Sequence, residues 1–254
     1  HELLVLRLPD LPLEELGSTD HIPQELLDDR DRFFRIATGG RPMGLRIGPD
    51  DRRVYVANYL EDSVQVVDLE RRELVRSLPL GGPSEESLAR RGERIFYDAQ
   101  RSLDQWYSCH SCHTDGGSNA VAMDTNNDGS ARTFKTVLPL YHLRQTEPWT
   151  WHGWQRDLDD AMHKSLTSTM LGKPPSEEDR QALLTFLDTL TPPRNPHRQK
   201  DGSLTEEARR GERIFRSEKA ACATCHHGPY FTDGRTHDLG LGNERDRYRE
   251  FNTP

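Results

Sequence analysis

One octapeptide occurs twice, unchanged. Ala89-Arg-Arg-Gly-Glu-Arg-Ile-Phe96 returns as Ala208-Arg-Arg-Gly-Glu-Arg-Ile-Phe215. Each copy runs into a cysteine cluster of the same form, Cys109-His-Ser-Cys112-His113 and Cys222-Ala-Thr-Cys225-His226, and these hold all four cysteines of the 254-residue chain. A repeated unit of this kind is an internal duplication, so residues 84–254 read as two versions of one domain. Glycine inside a helix costs roughly 1 kcal/mol against alanine. Its presence at both Gly92 and Gly211 predicts a second helix crossing closely at each.

The cysteine spacing narrows the chemistry. Cys-x-x-Cys-His is the c-type haem attachment pattern. Two thiols one turn apart can add to the two vinyl groups of one haem, and the adjacent His then lies beneath the iron. That predicts two covalently bound haems c, with Cys109, Cys112, Cys222 and Cys225 as attachment points and His113 and His226 as proximal iron ligands. A four-Cys zinc site keeps its pairs about 15–20 residues apart, whereas Cys112 and Cys222 are 110 positions apart. A thioredoxin-like pair needs neither a His after both motifs nor this setting. Disulfides in an oxidising compartment stay open as an alternative. Haem c is attached outside the cytoplasm, so the expected home is periplasmic or extracellular.

The helical signals around the motifs are specific. Ser84 offers an N-cap, with Glu85 and Glu86 in the first turn and Leu88, Ile95 and Phe96 on one face. Ser176-Glu-Glu-Asp opens a helix whose apolar stripe is Leu183, Phe186, Leu187 and Leu190. Pro192 and Pro193 stop it, and the stretch to about residue 200 reads as a linker. This helix is the expected partner of the Gly92 helix. The second copy has no counterpart of it.

Residues 41–80 read differently. Val54-Tyr-Val-Ala57, Val64-Gln-Val-Val67 and Arg72–Leu80 are strand-like runs separated by turns at Pro49-Asp-Asp51 and Glu61-Asp-Ser63. Several strands in about 40 residues match one four-stranded propeller blade. The same residues resemble the YVTN family of β-propeller repeats, with Tyr55-Val-Ala-Asn58 as the signature. One full copy spans about 34–80, and the tail of another about 1–16. The remaining blades are expected upstream.

The expected fold class is therefore multi-domain: C-terminal all-α tandem cytochrome c-like domains preceded by part of a β-propeller. Residues 1–82 form the partial propeller, 83–197 the first haem domain and 198–254 a truncated second haem domain. The chain starts at His1 and stops at Phe251-Asn-Thr-Pro254, so both ends look cut, and a missing signal peptide says nothing about location. A net charge of −8 without a polybasic block argues against nucleic acid. No apolar run reaches 18 residues, so no membrane-spanning helix is expected.

Over about 84–254 the chain resembles the bacterial di-haem cytochrome c peroxidase superfamily, which includes MauG-like enzymes. The resemblance rests on the paired motifs after Gly-Glu-Arg-Ile-Phe, on Trp151-His-Gly153 where the family has Trp-Asp-Gly, and on Phe251-Asn-Thr-Pro254. It implies a peroxidatic first haem supplied with electrons through the second, with Trp151 between them. It also implies hydrogen peroxide or a protein side chain as substrate, and a small cytochrome or cupredoxin as redox partner. His152, beside Trp151, is then the candidate distal group, and Trp151 and His152 are the catalytic candidates. Where the family places its distal Gln, Pro and Glu, this chain has Ala161, Ser165 and Leu171. The family's interdomain calcium uses an Asn in an Arg-Asn-x-Pro segment, here Arg132-Thr-Phe-Lys135, so calcium is not supported. The alternative from another class is an electron-transfer cytochrome whose propeller docks a partner.

Other groups compete for the distal position: His142, His163, Met123, Met162 and Met170. A Met on a helix is more often core. Trp149 and Trp154 read as pocket wall. Asp124-Thr-Asn-Asn-Asp128-Gly-Ser130 imitates half an EF-hand loop, but its twelfth position is Lys135, which favours an Asn-Asp-Gly turn. His227 reads as solvated.

Overall fold

The structure is a computed structural model that describes residues 2–7 and 24–253. The chain divides into two compact units, His1–Glu85 and Glu86–Pro254. In the first unit, β1 (Glu2–Leu6) pairs antiparallel with β2 (Phe33–Ala37), and α1 (Gln24–Asp28) precedes β2. An antiparallel meander follows: β3 (Pro42–Ile47), β4 (Arg53–Asn58), β5 (Ser63–Asp68) and β6 (Glu73–Pro79). The turns follow the expected chemistry. Asp50 Oδ1 accepts the amides of Arg52 and Arg53 at 3.2 and 3.1 Å. Alternation along β4 buries Val54 and Val56, which join Ile36 and Val67 in a small core. The Tyr55-Val-Ala-Asn58 signature lies on β4. Of the second repeat copy expected over 1–16, residues 8–16 lie outside the described residues.

The second unit carries the repeated octapeptide. The first copy forms α2 (Leu88–Phe96). The cap is Ser87, whose side chain accepts the Arg90 amide, rather than Ser84. The first motif is the short helix α3 (Cys109–Cys112). Next come β7 (Ala122–Met123) and β8 (Lys135–Thr136), paired antiparallel, then α4 (Leu158–Lys164), a π-turn over Ser165–Thr169, and α5 (Glu177–Leu187). The second octapeptide forms α6 (Glu206–Phe215), and β9 (Thr236–His237) pairs with β10 (Phe251–Asn252).

The all-α expectation for the haem domains is corrected: the structure is mixed α/β, with several antiparallel sheets among the described residues. The physical reason lies in segments 114–157 and 227–250. They are rich in Gly, Asn, Asp, Pro and Thr, which favour turns over helix. Their backbone groups are satisfied in turns and two-residue ladders instead. Ladders that short have no alternation to read in advance.

The core of this unit forms where α2 crosses α5. Ser176 caps α5 by accepting the Asp179 amide at 3.1 Å. Leu183, Phe186 and Leu187 bury against Ile95 and Phe96, with Leu190 at the edge. An added Cβ at Gly92 would stand 1.9 Å from the Ala182 carbonyl oxygen, so only glycine permits this approach. Asp179 ties the helix pair at one end, accepting from Arg91 at 2.7 Å and Arg101 at 2.9 Å. At Gly211 an added Cβ meets nothing within 4 Å. The close crossing expected at both glycines is therefore seen only at Gly92.

Candidate functional site

The second unit holds a cavity of about 590 Å³, within the range of about 300–1,000 Å³ usual for cofactor sites. Cys109, Cys112 and His113 lie on its wall together with Phe96, Leu166 and Leu187 of the helical core. Pro229, Tyr230 and Phe231, which follow the second motif, line it as well. One cavity thus borders the first motif and the segment behind the second.

Both motif histidines are set the same way. His113 Nδ1 donates to the Leu138 carbonyl at 2.9 Å, and His226 Nδ1 donates to the Phe231 carbonyl at 3.0 Å. A carbonyl can only accept, so Nδ1 carries the proton in each ring. Nε2 is left with its lone pair, the form in which imidazole binds a metal. Burial pushes the His113 pKa down, which also favours the neutral ring.

The four cysteines are unpaired thiols. Burial pushes the Cys109 thiol up to about 12 and raises Cys112. The donor set and the apolar cavity fit a haem: two thiols one turn apart, a neutral imidazole oriented by its carbonyl bond, and apolar walls. At the second motif, Cys222 opens a single tight turn, and the Phe215 ring stands 6.4 Å from the His226 ring and 5.9 Å from the Phe231 ring. Cys225, Asp233 and His237 come together beside this motif, and His237 Nε2 lies 2.8 Å from Asp233 Oδ2.

The Trp151-His-Gly153 turn joins the two halves of this unit. Trp151 lines the cavity, donates from Nε1 to the Thr136 carbonyl at 2.6 Å, and accepts the Asn252 amide at 2.8 Å. Gly153 has φ of 58°, and an added Cβ would stand 2.7 Å from Thr236 Cγ2. Thr150 also holds a positive φ, 74°. For a β-branched residue this stores roughly 1–3 kcal/mol of strain.

His152 does not face the cavity. Its Nδ1 donates to the Glu250 carbonyl at 2.8 Å, Nε2 lies 3.7 Å from Asp246 Oδ1, and its ring packs 4.6 Å from Phe251. Both nitrogens are turned toward segment 246–250. His163 is absent from the cavity wall, whereas His142 sits on it, 5.1 Å from the Tyr230 ring. Met123, Met162 and Met170 all line the cavity, and Met123 Sδ is 3.4 Å from Cys112 Sγ. Ala161 and Ser165 reach the wall, while Leu171 is exposed. Trp149 lines the cavity, but Trp154 lies under the Lys164 ammonium at 5.4 Å. His227 is exposed.

In the Asp124–Ser130 loop the carboxylates are spent on the backbone. Asp124 accepts the amides of Asn126, Arg132 and Thr133, and Asp128 accepts that of Ser130. This is turn chemistry, as read.

Sequence reasoning did not find Gln155, Asn127 or Lys135 as wall residues. Nor did it find the carbonyls of Leu138 and Phe231, since any residue supplies a carbonyl and no sequence signal marks one.

No family model matches the chain. Hydrazine synthase subunit gamma of Kuenenia stuttgartiensis is 30% identical over 176 residues, 63% of this chain and 50% of the relative. Cytochrome-c peroxidase IdrP2 of Pseudomonas sp. (strain SCT) is 25% identical over 192 residues, 61% of this chain and 51% of the relative. A structure of the Kuenenia stuttgartiensis hydrazine synthase superposes with a TM-score of 0.55 and 29% identity, covering 63% of this chain and 56% of that one. The chain spans about half the length of the curated relatives it matches. These likenesses support a haem oxidoreductase in general terms.

Proposed function

We infer that the chain carries two covalently attached haems c and works as a di-haem oxidoreductase of peroxidase or MauG type in the periplasm. The observation that carries this reading is the matched pair of motif histidines. In both Cys-x-x-Cys-His sequences Nδ1 is spent on a backbone carbonyl, which leaves Nε2 for iron. Cys109 and Cys112 hold the first haem and Cys222 and Cys225 the second. When bound, the haems supply one-electron carriers and, at the first, a coordination site for a small oxidant such as hydrogen peroxide.

The chain's own residues do the rest. The walls formed by Phe96, Leu166 and Leu187 exclude water. Leu138 and Phe231 fix the ring orientation of the two proximal histidines. Trp151, fastened to Thr136 and Asn252, stands on the wall between the first motif and the segment that follows the second. A small cytochrome or cupredoxin would exchange electrons with the second centre. The four-stranded meander of the first unit would be one blade of a YVTN-type propeller, consistent with the exposed apolar Met43, Leu45 and Ile47 on its edge strand β3. Residues 83–197 and 198–254 would be the two haem domains.

A second reading has its own support. Met162 and Met170 line the cavity, and Ala161 and Ser165 stand where acid–base side chains would be needed. A methionine sulfur on the first iron would make the chain a pure electron-transfer cytochrome. Absorption and EPR spectra of the ferric holoprotein separate the two. A high-spin first haem that changes with peroxide supports the enzyme. Two low-spin haems, unresponsive to reduction and peroxide, would sink it and leave the electron-transfer reading.

A further inference from the structure

Among the described residues on the cavity wall, Lys135 is the one with a permanent charge; no Asp, Glu or Arg reaches that wall. Its counter-ion stands behind it. The Asp246 side chain is 1% exposed and accepts from Lys135 Nζ at 2.7 Å through Oδ1, while Oδ2 accepts the Asn243 amide at 2.9 Å. His152 Nε2 lies 3.7 Å from the same Oδ1. Burial pushes the Asp246 carboxyl up, but the Lys135 ammonium and the Asn243 amide outweigh this and hold it below its usual range. The carboxylate is therefore fixed as an anion and committed on both oxygens.

An ammonium has three N–H donors, and among the described residues this one gives a single hydrogen bond to a protein group. The backbone that carries the lysine is fixed. Lys135 pairs with Met123 in the β7–β8 ladder, and the neighbouring Thr136 carbonyl accepts Trp151 Nε1. The Lys135 ammonium is held at the wall by Asp246, and its side chain is 23% exposed. A cation with unspent donors, held in a largely apolar cavity, favours an oxygen anion there more strongly than the same cation would in water.

We propose that Lys135 is an anion-binding group of this cavity, taking a carboxylate or small oxyanion on its free N–H donors, with Asp246 and His152 as positioning residues behind it. The inference rests on the haem reading above. The same chemistry has two sources: a propionate carboxylate of the bound haem, or a free anion entering the cavity.

The test uses the holoprotein, with haem content measured first. Formate is titrated against the ferric first haem by absorption, and the midpoint potentials are measured without formate. Lys135→Gln should weaken formate at least tenfold if the site takes a free anion, and Lys135→Arg should retain most of the affinity. If the site holds a propionate, formate affinity stays unchanged and the first midpoint potential falls in Lys135→Gln. Asp246→Asn, which removes the counter-ion, should strengthen formate binding several-fold or raise that potential, and it carries the test if Lys135→Gln does not mature. Two attached haems with affinity and potential unmoved in these variants overturn the inference and leave the haem reading standing. A wild-type chain that attaches no haem overturns both.

Discussion

Gly92 and Gly211 occupy the same place in two identical octapeptides, but a methyl group added to each has opposite consequences. At Gly92 the new Cβ would lie 1.9 Å from the Ala182 carbonyl oxygen, 2.5 Å from its carbonyl carbon and 2.8 Å from the Phe186 Cβ. Two of those atoms are α5 backbone, so no rotamer change relieves the clash. A carbon–oxygen contact needs about 3.3 Å or more, so α5 must retreat by roughly 1.5 Å. Overpacking of this kind costs ~1–3 kcal/mol, and a backbone clash lies at the upper end. Alanine returns about 1 kcal/mol of helix propensity. The net expectation for Gly92→Ala is a loss of about 2 kcal/mol. At Gly211 the space is open, so Gly211→Ala should gain about 1 kcal/mol. Amide hydrogen exchange, read helix by helix on the holoprotein, reports both. Amides of α2 and α5 should exchange roughly 30-fold faster in Gly92→Ala, and those of α6 about fivefold slower in Gly211→Ala. Equal effects of the same sign at the two sites would refute the claim that the duplicated helices are differently packed.

Other outcomes follow from particular side chains. Asp179→Asn removes a carboxylate shared by Arg91 and Arg101; it should loosen the α2–α5 pair by ~1–3 kcal/mol, seen as a lower urea midpoint. The Arg52 guanidinium beside Asp68 holds that carboxyl down at about 2. Its folded pKa lies below the unfolded value of about 3.9, so the stabilisation is complete above about pH 4 and is lost as pH falls toward 2. Far-UV circular dichroism of the first unit against pH should show acid loosening in that window, and Asp68→Asn should remove it. Trp151→Phe deletes the indole donor to the Thr136 carbonyl. A cost of about 0.5–1.5 kcal/mol is expected, together with slower electron transfer between the centres in stopped-flow reduction.

What the sequence made legible was local. The Ser176 cap and the Leu183–Phe186–Leu187 stripe each depend on residues within a turn or two, and each appears where expected. Ser84 was a plausible cap, but Ser87 is the one used, because α2 begins at Leu88. His152 could not be placed from its neighbours. Its orientation is set by Glu250 and Asp246, nearly a hundred positions away. The same holds for Lys135, whose counter-ion is Asp246. The all-α expectation failed where turn-forming segments outweigh helix, between residues 114 and 157 and again after the second motif.

The central claim is that each Cys-x-x-Cys-His sequence holds one haem through two thioether bonds. It is tested most directly by haem stoichiometry: intact mass and pyridine haemochrome absorbance of the chain matured with a c-type assembly system. The account predicts two haems per chain that survive acid–acetone extraction, falling to one in Cys109→Ala/Cys112→Ala and to one in Cys222→Ala/Cys225→Ala. A chain of unmodified mass, or haem that extracts freely, would contradict it.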